Sequence, residues 1–216
     1  MNATTIHEYG AKPRRRIDTD QFRPPTAPRP APPIILSFRQ LLPLYHVDLL
    51  VRGAAVLRSR TDRPFQVRIL GQGSERARLG ALARDLGVED VVTFIDERVP
   101  DDALIEEIQR ASIYVSTSRS DSTSVSLLEA MACGVAPVVT DIEGNREWIH
   151  NGENGFLVPV EQPERLAEAI ERLLVDPDLG ARFTEHNLRL VRARGDWAKN
   201  MERTRRLIHE LVGRAA

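Results

Sequence analysis

From residue 34 onward, short apolar runs alternate with longer amphipathic stretches, and this alternation leaves few folds open. Residues 33–38, 65–70, 91–95, 112–116, 136–140 and 156–160 read as strands. They show little polar alternation, and strands without a polar face are buried on both sides, as in a parallel sheet. Residues 49–60, 75–86, 101–110 and 123–133 read as helices. Gly87 and Gly134 stop two of them, and Asp101 or Asp102 is the expected cap of another. Residues 163–175 form a further helix with proline in its first turn, and the tail from about Leu179 is mostly helical. Strands and helices in strict alternation imply right-handed crossovers and a doubly wound α/β domain. Such sheets bind ligands at the carboxyl ends of their strands. The loops after Phe38, Leu70, Phe94 and Thr117 are therefore the places to look for chemistry.

Residues 1–33 have a different character. Pro24, Pro25, Pro28, Pro30, Pro32 and Pro33 crowd one stretch, which favours an extended linker and forbids a helix. The sequence thus divides into residues 1–33 and a domain at 34–216. The chain has 30 Lys and Arg against 31 Asp and Glu, for a formal net charge of −1. That balance gives no general attraction to nucleic acid or anionic membrane, and the arginines at 14–16 read as a solvated run. Cys133 is the single cysteine and reads as a small core residue. A chain that cannot form an internal disulfide suits a reducing compartment. No apolar signal core and no stretch near 18 apolar residues is present, so the cytoplasm is the default location.

The most informative segment is 118–134, SRSDSTSVSLLEAMACG. It follows a strand and opens a helix. Ser122, Thr123, Ser124 and Ser126 are small hydroxyl residues at the helix start, where unpaired N–H groups and a partial positive charge suit a phosphate. Asp121 stands at the lip, and Glu129 lies two turns in. At ~1.5 Å per residue the two carboxylates are roughly 10 Å apart along the axis, enough to reach both ends of a sugar nucleotide. A carboxylate accepts hydrogen bonds from paired hydroxyls, so Glu129 suits a ribose and Asp121 a hexose. Two simpler readings stand beside these: Asp121 as a helix cap, and Glu129 on a solvent-facing stripe.

Asp121 and Glu129 with seven residues between them, then AMACGVAPVV at 130–139, then GNREWIHNGENGFLV at 144–158, resemble the retaining glycosyltransferases of family 4. The similarity runs from about Ile34 to the C-terminus. It implies a Rossmann-like domain, the donor-binding half of a two-domain, GT-B type enzyme. In that family the second acidic position, here Glu129, holds the nucleotide ribose. The first, here Asp121 where the family usually has Glu, faces the donor sugar. The backbone of Thr123, Ser124 and Val125 falls where the family grips the diphosphate. Phe94 and Ile95 fall beside the loop that contacts the base, and the turn at Gly71 lines the cleft. The family also carries an Arg and a Lys after its first strand. Here Arg39 stands one place early, with a plain surface residue as its alternative, and Tyr45 stands at the Lys position.

The resemblance implies a nucleotide-diphosphate sugar as donor substrate, with no cofactor and no catalytic metal. It also implies a separate acceptor-binding domain or chain, and an acceptor that is a sugar or a lipid-linked molecule at a membrane surface. Residues 17–24 resemble the segment that follows that other domain's last strand. The helix around 197–211 is expected to present an apolar face toward it. Gly71-Gln-Gly superficially matches a dinucleotide fingerprint, but Arg76 occupies the third glycine position, which argues against a nicotinamide site. Residues 145–147 read as a polar turn, and His46 and His150 as surface or loop residues. Three functions remain: a hexosyltransferase half, a nucleotide-sugar-binding module without turnover, and an epimerase of the same architecture.

Overall fold

β-Branched residues have stiff side chains that favour extended backbone. They dominate the strands in the computed structural model of the protein, which describes residues 17–96 and 99–213. The elements are β1 (Ile34–Ser37), a 3-10 turn (Pro43–Tyr45), α1 (Asp48–Arg60), β2 (Gln66–Leu70), α2 (Arg76–Asp85), β3 (Val92–Ile95) and α3 (Asp101–Arg110). There follow β4 (Ile113–Ser116), α4 (Val125–Ala132), β5 (Ala136–Thr140), α5 (Glu143–Arg146), β6 (Phe156–Val158) and α6 (Pro163–Val175). The chain ends in α7 (Pro177–Leu190), a π turn (Val191–Gly195) and α8 (Trp197–Gly213).

All paired strands are parallel, in the order β3-β2-β1-β4-β5-β6. This is the expected doubly wound sheet. Alternate residues of each strand feed two apolar layers, one on each face. On one face Ile35, Val67, Val115 and Val138 pack with Leu50, Leu57 and Ile170 from α1 and α6. On the other, Ile34, Leu36, Tyr114 and Val139 pack with Ile108, Leu127, Met131 and Trp148. The chain reverses its winding between β1 and β4, and a crevice at such a switch point is where doubly wound sheets take ligands.

Several element ends differ from the sequence expectation, each for a local reason. The start of α4 is Val125, not Thr123, because the Ser124 hydroxyl accepts the Leu127 N–H and fixes the cap there. Asp101 and Asp102 do not cap α3; its cap position is Pro100, which has no side-chain acceptor. The last strand stops at Val158, since Pro159 lacks the N–H a longer ladder needs. The stops at Gly87 and Gly134 are as expected, with φ of 64° and 70°.

Residues 17–33 lie against the domain: Ile17 is buried, its carbonyl accepts the Trp197 N–H, and the Thr19 hydroxyl donates to Asp196. The arginines at 14–16 lie outside the described residues. On α8, Leu207, Ile208 and Leu211 form an exposed apolar stripe. Among the described residues no helix is long and apolar enough to cross a membrane.

Candidate functional site

Three loops at the carboxyl ends of the central strands are stitched to one another by backbone contacts. The loop after β1 bonds to the loop after β4, where the Thr117 hydroxyl donates to Tyr45 O at 2.9 Å and Arg119 N–H to Leu44 O at 3.0 Å. On its other side it bonds to the turn after β2, through Leu41 N–H to Gln72 O and Glu75 N–H to Leu41 O, both at 2.9 Å. A Cβ at Gly71 would meet Arg39 O at 2.1 Å, and one at Gly73 would meet Leu41 O at 2.2 Å. Only glycine permits that approach. Gly71 therefore acts on the site through the loop that carries Arg39, a contact the sequence reading did not anticipate. Gly144 is similarly pressed against the loop after β4, with Ser122 O 2.1 Å from its would-be Cβ.

Held in this way, Arg39 crosses the mouth of α4. Its Nη1 donates to the hydroxyls of Ser124 at 2.9 Å and Ser126 at 2.8 Å. Its Nη2 donates to the Asp121 carboxylate, with side-chain exposures of 11% for Arg39 and 19% for Asp121. The guanidinium also lies 4.3 Å from the centroid of the Tyr45 ring. Arg39 is thus neither a plain surface residue nor oriented by a carboxylate alone. Asp121 is not the helix cap, since Ser124 holds that position, and its carboxylate neutralises Arg39.

Glu129 sits in the second turn of α4 and is only 8% exposed, which removes the solvent-facing reading. One turn on, Cys133 is buried as expected. Burial first, and then the Glu129 charge, push its thiol up to about 12. Thr123 is on the exposed rim, and its hydroxyl donates to Glu147 at 3.2 Å. Val125 opens the helix and is partly covered. Phe94 and Ile95 end β3, two strands away from β1. The Arg76 guanidinium stacks 4.4 Å over the Phe94 ring and pairs with Asp96, and the Ile95 carbonyl accepts the Gly71 N–H at 3.3 Å. The structure thus draws Arg39, Asp121 and Ser124 into one network at the switch point. Phe94, Ile95 and Gly71 line its other flank.

Sequence reasoning missed Tyr114. It is wholly buried in β4, its hydroxyl is 2.8 Å from Ser126 Oγ, and its ring packs against Phe38 with centroids 5.1 Å apart. Burial raises its phenol, against the pull of the Arg39 charge. The available signal was a phenol between the apolar Ile113 and Val115. Residues 145–147 also do more than form a turn: Asn145 is buried and its Nδ2 donates to Thr140 O at 2.8 Å. His150 is exposed, whereas His46 is in a loop but mostly covered, and burial lowers its pKa.

A helix mouth carries a partial positive charge, and the guanidinium fixed across it is balanced by Asp121 until an anion displaces that carboxylate. Such a site suits an anion with more than one negative charge, flanked by two carboxylates that can accept hydroxyl hydrogens.

Comparison with known proteins identifies the family and the fold. The profile of the family described as glycosyl transferases group 1 matches residues 18–189. A D-inositol 3-phosphate glycosyltransferase of Acidothermus cellulolyticus is 35% identical over 195 residues, covering 80% of this chain and 43% of that protein. The chain thus spans under half the length of this relative. Among solved structures, the C-terminal domain of a glycosyl transferase group 1 family protein from Francisella tularensis superposes with a TM-score of 0.76 at 20% identity. That match covers 84% of this chain and 99% of the other. The Anabaena protein HepE, solved in complex with UDP and glucose, superposes with a TM-score of 0.71 at 22% identity, covering 81% and 47%. At these identities the two structures show a common fold.

Proposed function

Because the chain belongs to the glycosyl transferases group 1 family, we propose that it binds the donor for a metal-independent, retaining hexosyl transfer of the family 4 type. The donor is a nucleotide-diphosphate sugar, and no further cofactor takes part. The acceptor is a sugar or lipid-linked molecule of polysaccharide biosynthesis, presented at the cytoplasmic face of a membrane by a separate acceptor-binding domain or chain. Residues 34–216 are the donor-binding domain, and residues 1–33 lead into it from the acceptor side. The observation that carries this reading is the Arg39 guanidinium fixed across the mouth of α4 beside Asp121, with Glu129 buried farther along the same helix.

The roles follow from charge and reach. The diphosphate lies at the backbone of Thr123, Ser124 and Val125, where the first amides of a helix have no intrahelical partner. Arg39 exchanges Asp121 for the diphosphate and stabilises the charge that grows there as the sugar–phosphate bond breaks. Asp121, once released, accepts hydrogen bonds from sugar hydroxyls. Glu129 takes the ribose hydroxyls. The carboxyl ends of β2 and β3, with Gly71, Phe94 and Ile95, face the base.

Thermal unfolding against UDP-, GDP- and ADP-sugars tests the proposal, since a ligand that binds only the folded state stabilises it. One donor class is expected to raise the melting temperature. Glu129→Ala is expected to weaken its binding at least about tenfold, or about 1.4 kcal/mol. Unchanged affinity in Glu129→Ala would remove the assignment of that residue. A second reading, a nucleotide-sugar-binding module without turnover, is favoured by Tyr45, a neutral ring against Arg39 where the resemblance implies a lysine. Tight donor binding with no transfer to any acceptor, even with an acceptor domain supplied, would select it.

A further inference from the structure

We infer that Tyr114, acting through Ser126, positions the Arg39 guanidinium for the donor diphosphate, with the Tyr45 ring supporting it from the other side; the inference rests on the donor-site reading above. A hydroxyl has one hydrogen and two lone pairs. Ser124 Oγ accepts from Arg39 Nη1 at 2.9 Å and from Leu127 N–H at 3.4 Å, which uses both lone pairs. Its hydrogen therefore goes to Ser126 Oγ, 3.0 Å away. Ser126 already accepts from Arg39 Nη1 at 2.8 Å, so its two lone pairs are also filled. Its own hydrogen must go to Tyr114 Oη at 2.8 Å. Tyr114 in turn has Ser116 and Ser124 as further hydroxyl partners.

The chain of hydroxyls therefore runs one way, from Ser124 to Ser126 to Tyr114. This direction keeps a lone pair of each serine turned toward Nη1. Without the phenol oxygen, Ser126 has lost the acceptor for its hydrogen. It can then turn that hydrogen toward Ser124 and compete with the guanidinium. Packing alone does not explain the hydroxyl, because the Tyr114 ring is wholly buried and a phenylalanine would fill the same space. The Tyr45 ring stacks 4.3 Å from the guanidinium and blocks its swing away from the serines. With Nη1 and the planar face secured, Arg39 can trade Asp121 for a phosphate oxygen on Nη2 without losing its orientation. A donor fixed before the ligand arrives costs no reordering when charge develops.

The test is calorimetric titration of UDP into wild type, Tyr114→Phe, Arg39→Ala and the double variant, with inorganic pyrophosphate as a base-free probe and melting temperatures for each protein. Tyr114→Phe is expected to weaken UDP and pyrophosphate by about five- to tenfold, the range for one lost hydrogen bond in a charged network. Its melting temperature stays near that of the wild type. In the Arg39→Ala background the same substitution is expected to change nothing, because its target is gone. Ser126→Ala breaks the relay one link earlier and is expected to give the same loss, which keeps the test open if Tyr114→Phe folds poorly. Wild-type affinity in both Tyr114→Phe and Ser126→Ala would overturn the inference, as would an equal loss in the Arg39→Ala background. A wild type that binds neither UDP nor pyrophosphate would sink it together with the donor-site reading, and that outcome is visible before any substitution is made.

Discussion

The two ends of α4 each hold an arginine, and the contrast separates stability from function. At the C-terminal end, Arg29 Nη2 donates to the carbonyls of Cys133 at 3.1 Å and Gly134 at 2.6 Å. Those carbonyls carry the negative end of the helix dipole, so a cation there is stabilising. At the N-terminal end, Arg39 sits where the dipole is positive and a cation is disfavoured. It persists because Asp121 and two serine hydroxyls hold it. A protein tolerates such a charge where a ligand is to meet it. Arg29 is placed to hold the fold together, and the proposal gives Arg39 an anion to meet.

The largest effect should appear at Cys133, on the Arg29 end. With its thiol pushed up to about 12 by burial and then by the Glu129 charge, almost no thiolate exists at neutral pH. Alkylation by iodoacetamide at pH 8 is expected to run at least about a hundredfold slower in the folded protein than in urea, since only the thiolate reacts. Similar rates in both states would mean that this end of α4 is open. The next largest effect is at the other end. Arg39→Ala is expected to weaken UDP about 30- to 100-fold, the loss of a charge-assisted contact worth about 2–3 kcal/mol. The melting temperature stays level or rises. A fall in stability with no loss of affinity would erase the contrast.

Arg29→Met should give the mirror image. Stability is expected to drop by about 1–2 kcal/mol, which lowers the melting temperature by a few degrees, with UDP affinity unchanged. The smallest effect is at the clasp that holds the segment bearing Arg29. Burial works against ionisation of Asp196. The Lys199 N–H, the Thr19 hydroxyl and the Thr19 N–H outweigh it, so the folded carboxyl titrates lower than usual. A depressed carboxyl stabilises above its unfolded value of about 3.9 and loses that contribution as pH falls through the folded value. Asp196→Asn is therefore expected to cost about 1 kcal/mol at pH 7 in urea unfolding, and less near pH 3. A deficit that grows toward acid would contradict the assignment.

The fold was legible because apolar burial on both faces of a parallel strand leaves its mark on consecutive residues. Ile34, Ile35 and Leu36 alternate between the two layers yet are all apolar, so the run announces itself. Ends were less legible, because caps depend on a single side chain. Ser124 could be told from Asp121 as the cap only once its hydroxyl was seen to accept the Leu127 N–H.

In the site, Arg39 and Asp121 could be picked out as charges after β1 and β4, but not as partners. Their pairing depends on loops 82 residues apart being sewn together by backbone bonds at Leu44 and Tyr45. Gly71 was legible as a turn lining the cleft, but not as the close approach to the Arg39 backbone that it makes. Tyr45, read only as the residue in a lysine's place, proved to be the surface on which Arg39 stacks. Tyr114 left no sign beyond one hydroxyl in a strand, since its role lies in where a buried hydrogen points.

On the proposed reading, the mouth of α4 receives a diphosphate and Arg39 leaves Asp121 to meet it. A crystal structure of the chain soaked with UDP tests this most directly. The diphosphate is expected against the backbone of Thr123, Ser124 and Val125, with Arg39 Nη2 on a phosphate oxygen, Nη1 still on Ser124 and Ser126, and the ribose within reach of Glu129. UDP bound elsewhere, with the Arg39–Asp121 pair intact across an empty mouth, would contradict the account.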